Sequence, residues 1–201
     1  MRHKRIGVFG GSFDPPHLGH LILAEEALHQ MHLDQLLWVL TPQPPHKIEV
    51  ELTSLPIRQA MLKLATAENP RFELSRLEID RPGPHYTLDT LRLLKEQQPD
   101  TDLILLLGGD SLHDLPDWHD PAGVIAICKQ LGIMRRPGDQ VDLTSLESIL
   151  PGISRKIAFI DAPLLEIASR DIRQRIKNRE PFRYYLPASV YAFILDKELY
   201  R

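Results

Sequence analysis

Arg5-Ile6-Gly7-Val8-Phe9-Gly10-Gly11-Ser12-Phe13-Asp14-Pro15-Pro16-His17-Leu18-Gly19-His20-Leu21 decides how this chain of 201 residues is read. Its apolar opening predicts a buried strand over 5–10. The run breaks at Gly10-Gly11-Ser12 and restarts as a helix, with Pro16 where a first-turn proline is tolerated. A strand that passes through glycines into a helix N-terminus is a phosphate cradle in outline: unpaired N–H groups and the positive end of the macrodipole converge there. Glycine also lets a ligand approach the backbone closely. His17 and His20, three residues apart, are expected on one helix face. The glycines do not make G-x-G-x-x-G, and no Gly-Lys-Ser/Thr follows, so neither the dinucleotide fingerprint nor the P-loop applies. No third ligand for a histidine-bound metal lies nearby except Asp14, and no protein metal site is expected.

Outward from this stretch, strand and helix patterns alternate. A helix is expected from His17 to about Met31, with Leu21, Ala24, Leu28 and Met31 inward. A second strand covers Gln35 to Leu40, and Thr53 or Ser54 caps a helix carrying Ile57, Met61 and Leu64 on one face. Phe72 to Ile79 alternates as a strand, and Thr87 caps a helix to about Gln98 with Leu88, Leu91 and Leu94 inward. Asp102 to Leu107, the most apolar run, ends at Gly108-Gly109-Asp110. Further strands are predicted over Gly132–Arg136 and Lys156–Ile160, and helices over Ser169–Asn178 and Pro187–Leu199. Continuous apolar strands between helices imply a parallel sheet covered on both faces. The fold class is therefore α/β: a Rossmann-like, doubly wound parallel sheet with a helical C-terminal segment, in one domain spanning 1–201. Ligands of such sheets bind beyond the strands' carboxyl ends, where Gly10-Gly11 and Gly108-Gly109 would meet.

A hydrophobic content of 43% and a charged content of 25% are ordinary for a soluble globular protein. The net charge of −3 gives no basic field for nucleic acid, so a polyphosphate site must be local. The single cysteine, Cys128, excludes an intramolecular disulfide and is expected to be a small buried hydrophobe. No signal peptide and no membrane-length apolar run is seen, which fits a cytoplasmic location.

Four more constellations have chemical potential. Pro44-Pro45-His46-Lys47 holds two basic residues on a stiff loop past the second strand, suited to a phosphate. Asp80 to Thr87 leads into a helix N-terminus, either an anion site or a plain capped turn. Gly108-Gly109-Asp110 suits a ribose, and Trp118 either stacks on a ring or lids the core. Ser169, a helix cap by its position, and Arg173 lie four apart on one face, as in a phosphate site or any capped basic helix.

Gly11-x-Phe13-x-Pro15-x-His17-x-Gly19-His20 resembles the G-x-F-x-P-x-H-x-G-H signature of the α/β nucleotidyltransferase superfamily. With Pro-Pro-His-Lys, Arg-Pro-Gly-Pro-x-Tyr-Thr, Gly-x-Asp-Ser-Leu…Trp, Ile-Arg and Tyr-Leu-Pro, the chain resembles the bacterial nicotinate mononucleotide adenylyltransferases nearly end to end. That resemblance implies transfer of AMP from ATP to nicotinate mononucleotide, with Mg²⁺ as cofactor, giving deamido-NAD and pyrophosphate. It implies that Gly10, Gly11, Ser12, Phe13, His17, His20, Ser169 and Arg173 bind ATP at its phosphates, and Gly108 with Asp110 at the adenosine. His17, His20 and Arg173 would be the catalytic residues. The Tyr86 and Thr87 amides would hold the nicotinate carboxylate, Trp118 would stack on the ring, and His46, Lys47 and Arg136 would face the mononucleotide phosphate. The implied partners are these two small molecules, with neither nucleic acid nor membrane and with no oligomeric state specified. Three positions, in two motifs, depart from the family pattern: Ala168 and Arg170 replace a Ser and a Thr in the C-terminal motif, and His85 replaces a Ser before Tyr-Thr. A pantetheine-phosphate or other cytidylyl- or adenylyltransferase would share the His-x-Gly-His cradle but gives no reason for the Tyr-Thr and Trp segments. A nucleotide sensor without turnover is favoured only by Ala168 and Arg170.

Overall fold

The computed structural model describes residues 2–44, 51–134, 142–163 and 165–201. In chain order they form β1 (Lys4–Gly11), α1 (Leu18–Gln30), β2 (Gln35–Leu40), α2 (Leu55–Thr66), β3 (Phe72–Ser75), α3 (Thr87–Gln97) and β4 (Thr101–Gly108). There follow α4 (Gly109–His113), α5 (Pro121–Ile127), β5 (Gln130–Met134), α6 (Leu143–Ile149), β6 (Ile157–Ile160), α7 (Ser169–Lys177) and α8 (Ala188–Asp196). The six strands make one sheet in the order β3-β2-β1-β4-β5-β6, and every neighbouring pair is parallel.

Strand alternation builds the two layers. Ile6, Val8, Leu37, Val39, Leu103, Leu105 and Leu107 pack with α3, through Leu88, Leu91 and Leu94, and with Val124 and Ile125 of α5. Phe9, Leu36, Trp38, Leu40, Ile104 and Leu106 point the other way, against Leu23, Ala24, Ala27 and Leu28 of α1. Successive residues of one strand thus serve opposite faces, as the doubly wound expectation requires. A third cluster joins Met61 and Ala65 of α2 to Ile172 and Ile176 of α7 and Val190 and Ile194 of α8. It is the helical C-terminal segment docked onto α2.

Several predicted details are corrected. The strand expected over Phe72–Ile79 stops at Ser75: β3 pairs only with β2, and past it the chain curls into a turn closed by Asp80 N–H to Arg76 O at 2.9 Å and by an Arg76–Asp80 ion pair. β5 begins at Gln130, before the expected Gly132, because its ladder with β4 starts at Ile104↔Gln130. Leu64 is exposed; the buried face of α2 is Arg58, Met61, Leu62 and Ala65, so a charged residue takes a core position there. Pro16 lies ahead of α1, whose N-cap is His17. Thr87 and Ser169 open their helices as first residues; the cap positions are Tyr86 and Ala168. Short α4, α5 and α6 occupy segments without a sustained helical period. Cys128 is buried, which pushes its thiol up to about 12.

Candidate active site

β1 and β4 are paired from Lys4↔Thr101 to Val8↔Leu105, and there the ladder ends. Beyond it, Gly10 and Gly11 pair only with β2, and Gly108 only with β5. The two strands therefore part at their carboxyl ends, at the point where the sheet order reverses, and a crevice opens between them. It holds a cavity of about 690 Å³ whose wall includes Gly10, Gly11, Ser12, Gly108, Tyr86 and Thr87. A Cβ placed on Gly10 or Gly108 would meet no atom within 4 Å. The protein's own packing does not demand glycine at either position, and both leave the backbone open to close approach from the cavity.

The β1 side of this crevice leads through Ser12 into the amino end of α1, whose His17 and His20 lie outside the cavity wall, as do Ser169 and Arg173 of α7. His17 Nδ1 accepts from His20 N–H at 3.3 Å, and His20 Nδ1 accepts from His17 N–H at 3.2 Å, a reciprocal capping box built from two imidazoles. The rings stack with centroids 3.6 Å apart. A Cβ on Gly19 would come within 3.1 Å of His17 Nδ1, so the glycine between the histidines makes room for this arrangement. Each Nδ1 accepts a backbone proton, which fixes Nδ1 as the bare nitrogen of the neutral ring and leaves Nε2 to carry the hydrogen. Beneath His20 lie the rings of Phe13 and Phe9, at 5.1 and 5.9 Å. Phe13 is itself buried, with φ 45°, so it shapes the loop through its ring packing and backbone.

The loop between β1 and α1 is held from three directions. Arg58 reaches from α2 and donates to the carbonyls of Ser12, Thr41, Pro42 and Thr53 at 2.7–3.0 Å. Burial lowers the pKa of its guanidinium, against the pull of the nearby Asp14 and Tyr200. Asp14 accepts from Thr53 N–H at 3.0 Å and from the Tyr200 hydroxyl at 2.5 Å, so its carboxylate is taken up by the scaffold. From the start of α7, Ser169 Oγ donates to Pro15 O at 2.8 Å and Arg173 Nη1 donates to Asp14 O at 2.6 Å. The amino ends of α1 and α7 are thereby brought together, with Ile167 Cβ 3.7 Å from the Cβ position of Gly19.

Across the cavity, Tyr86 and Thr87 begin α3, and Trp118 lines the wall while resting partly on the core beneath. Its packing on the core is the lid that the sequence offered as one alternative, and its place in the wall leaves it within the cavity. His119 stacks on Tyr86 at 4.1 Å. Glu78 and His85 line the same wall, both buried. Burial raises the pKa of Glu78, while Thr90, Thr41 and Arg81 pull it back; burial and Arg81 together lower that of His85. Asp110 is exposed in the first turn of α4, outside the cavity wall. His46, Lys47 and Arg136 lie outside the described residues. Sequence reading missed Arg58, Glu78, Thr90, His119 and Tyr200. Only Arg58 left a signal, as a charge at the same helical spacing as Met61, Leu62 and Ala65. No cluster of three or more His, Cys, Asp or Glu suited to a metal occurs among the described residues.

The Cytidylyltransferase-like family model matches residues 8–175. A Roseiflexus castenholzii protein named "probable nicotinate-nucleotide adenylyltransferase" is 44% identical over 201 residues, covering 100% of both chains. The nicotinate-nucleotide adenylyltransferase of Bacillus subtilis is 38% identical over 197 residues, covering 98% of each. Among solved structures, the Plasmodium falciparum nicotinic acid mononucleotide adenylyltransferase complexed with NaAD superposes with a TM-score of 0.83 over 98% of both chains, at 21% identity, a likeness of fold. Identity of this extent, unbroken from end to end, makes the chain a member of the nicotinate-nucleotide adenylyltransferases within the cytidylyltransferase-like family.

Proposed function

We infer that this protein joins ATP to nicotinate mononucleotide, forming nicotinate adenine dinucleotide and pyrophosphate. The observation that carries this reading is the crevice at the parting of β1 and β4, walled by Gly10, Gly11 and Ser12, which lead into the joined amino ends of α1 and α7, and by the start of α3 with Trp118. ATP lies with its triphosphate at the amino ends of α1 and α7, near His17, His20, Ser169 and Arg173, and its adenosine towards Gly108 and Asp110. The mononucleotide places its ring on Trp118 and its carboxylate at the Tyr86 and Thr87 amides, where a helix amino end favours an anion. The family resemblance alone assigns its phosphate to His46, Lys47 and Arg136.

An oxygen of the mononucleotide 5′-phosphate attacks the α-phosphorus of ATP in line. The new bond forms as the bond from the α-phosphorus to the bridging β oxygen breaks, and pyrophosphate leaves with that electron pair. The attacking group is already an anion, so no general base is required. Catalysis then consists of aligning two polyanions and stabilising charge on the departing group. His20 Nε2–H and the Arg173 guanidinium are the donors suited to that charge, and the Gly10–Gly11 backbone admits the phosphates closely. Magnesium brought in with the triphosphate would supply charge neutralisation there.

Pyrophosphate release with ATP and Mg²⁺, measured for nicotinate and for nicotinamide mononucleotide, tests the reading. Strong preference for the acid is expected; equal rates would remove the carboxylate assignment at α3, and no release with either would overturn the activity.

A further inference from the structure

The turn before α3 is unusual in what it leaves unpaired. Among the described residues, the buried side-chain polar atoms without a hydrogen-bond partner are Trp38 Nε1 and three from this one turn: Glu78 Oε2, Arg81 Nε and His85 Nδ1. Each such group costs free energy in the folded state. The same turn also carries a directed hydrogen-bond chain. Arg81 donates through Nη1 to Pro84 O at 3.0 Å, and through Nη2 to Tyr86 O at 3.3 Å and Thr90 Oγ1 at 3.1 Å. Thr90 Oγ1 in turn lies 2.6 Å from Glu78 Oε1. A guanidinium has donors only, so Thr90 accepts from Arg81 and its single proton goes to the nearer acceptor, Glu78. Thr90 and Glu78 are 2% and 4% exposed, so water cannot substitute for either partner.

The carbonyls gripped by Arg81 flank His85 and end at Tyr86, the N-cap of α3. Their orientation sets that of the first free amides of the helix. We propose that Thr90 and Glu78 are positioning residues: through Arg81 they lock the Tyr86–Thr87 amides in the geometry that accepts a carboxylate and rejects a carboxamide. This rests on the acid site proposed above. The physical reason is complementarity. Fixed N–H groups meet only acceptors on a carboxylate, whereas a carboxamide turns one N–H towards a donor and leaves it unpaired, the kind of mismatch from which polar sites draw their selectivity. A slack turn could rotate to present one amide to the carboxamide oxygen, and the discrimination would fall.

Steady-state kinetics of the intact protein with both mononucleotides test this in Thr90→Val, which keeps the shape and removes the hydroxyl, and in Thr90→Ser, which restores it. Thr90→Val is expected to raise KM for nicotinate mononucleotide roughly tenfold, the loss of about one hydrogen bond. It should narrow the acid-to-amide ratio of kcat/KM by a similar factor and leave kcat and KM for ATP within about twofold. Thr90→Ser should return the ratio to within about twofold of the starting protein. Glu78→Met removes the acceptor at the other end of the chain and should narrow the ratio equally, which keeps the test available if the valine variant does not fold. An unchanged acid-to-amide ratio in Thr90→Val or Glu78→Met overturns the positioning role. So does a uniform loss of kcat and of affinity for both substrates that serine does not rescue. If the unsubstituted protein uses acid and amide equally, it is the acid-site reading itself that fails.

Discussion

At the scale of single residues, the His-x-Gly-His element is explained by the reciprocal bonds of its two imidazoles. Gly19 leaves room for the His17 ring, each Nδ1 is committed to a backbone proton, and each Nε2–H is turned to donation. A general base would need a bare Nε2; a stabiliser of departing pyrophosphate needs the donor found here. His20→Ala should therefore lower kcat on the order of 10²-fold, by comparison with removal of one such donor elsewhere. It should reduce stability by only about 1 kcal/mol, the usual worth of a helix cap. Single-turnover measurement of pyrophosphate release beside urea unfolding separates the two effects; near-unchanged kcat would remove His20 from catalysis. Glycines 10 and 108 both face open space at the crevice, where a side chain would stand between the backbone and anything bound there.

At the scale of elements, the loop after β1 is a hub for three helices. α2 contributes Arg58, whose four hydrogen bonds converge on carbonyls from three separate segments, Ser12, Thr41–Pro42 and Thr53. Arginine suits this because its planar fork carries five donors, more than lysine can offer. Arg58→Met removes the charge and leaves those buried carbonyls unpaired, at about 1–3 kcal/mol for each that finds no water. A loss of at least about 3 kcal/mol in equilibrium urea unfolding is expected. A loss below about 1 kcal/mol would show that the loops hold without it. α7 contributes Ser169 and Arg173, each donating to the β1–α1 loop. With Ala168 and Arg170 in place of the family's Ser and Thr, this helix still presents the two side chains on one face. The departure from the family pattern leaves the joint between α1 and α7 intact.

At the scale of the molecule, the chain's ends meet. Tyr200, the penultimate residue, gives its hydroxyl to Asp14, 186 positions away. Burial, then the Asp14 carboxylate, push the phenol well above its ordinary 10.0, so it remains a donor across the working pH range. The C-terminal cluster of α2, α7 and α8 thereby braces the loop that shapes the crevice. Tyr200→Phe deletes one buried hydrogen bond and leaves a carboxylate oxygen unpaired, and should cost about 1–3 kcal/mol in urea unfolding. A variant as stable as the original would show that the brace is apolar packing alone. The parting of β1 from β4 belongs to this scale too, because two strands far apart in sequence must lie side by side before either glycine end can serve a ligand.

The sequence by itself determined the parallel α/β sheet, its two apolar layers and the family. Continuous apolar runs ending in glycine, and the spacing of Gly11, Phe13, Pro15, His17, Gly19 and His20, are local properties of the chain. It also named seven of the residues that wall the crevice, Gly10, Gly11, Ser12, Tyr86, Thr87, Gly108 and Trp118. Tertiary structure alone decided what holds those groups in place. Arg58, Thr90, Glu78 and Tyr200 act through partners 9 to 186 residues distant, or through carbonyls that every residue possesses, and neither leaves a pattern in sequence. The end of β3 at Ser75 was decided the same way, by an edge position and an ion-paired turn that cut short a favourable alternation. Spacing reports what one helix or strand can present, whereas positioning depends on which elements the fold sets side by side.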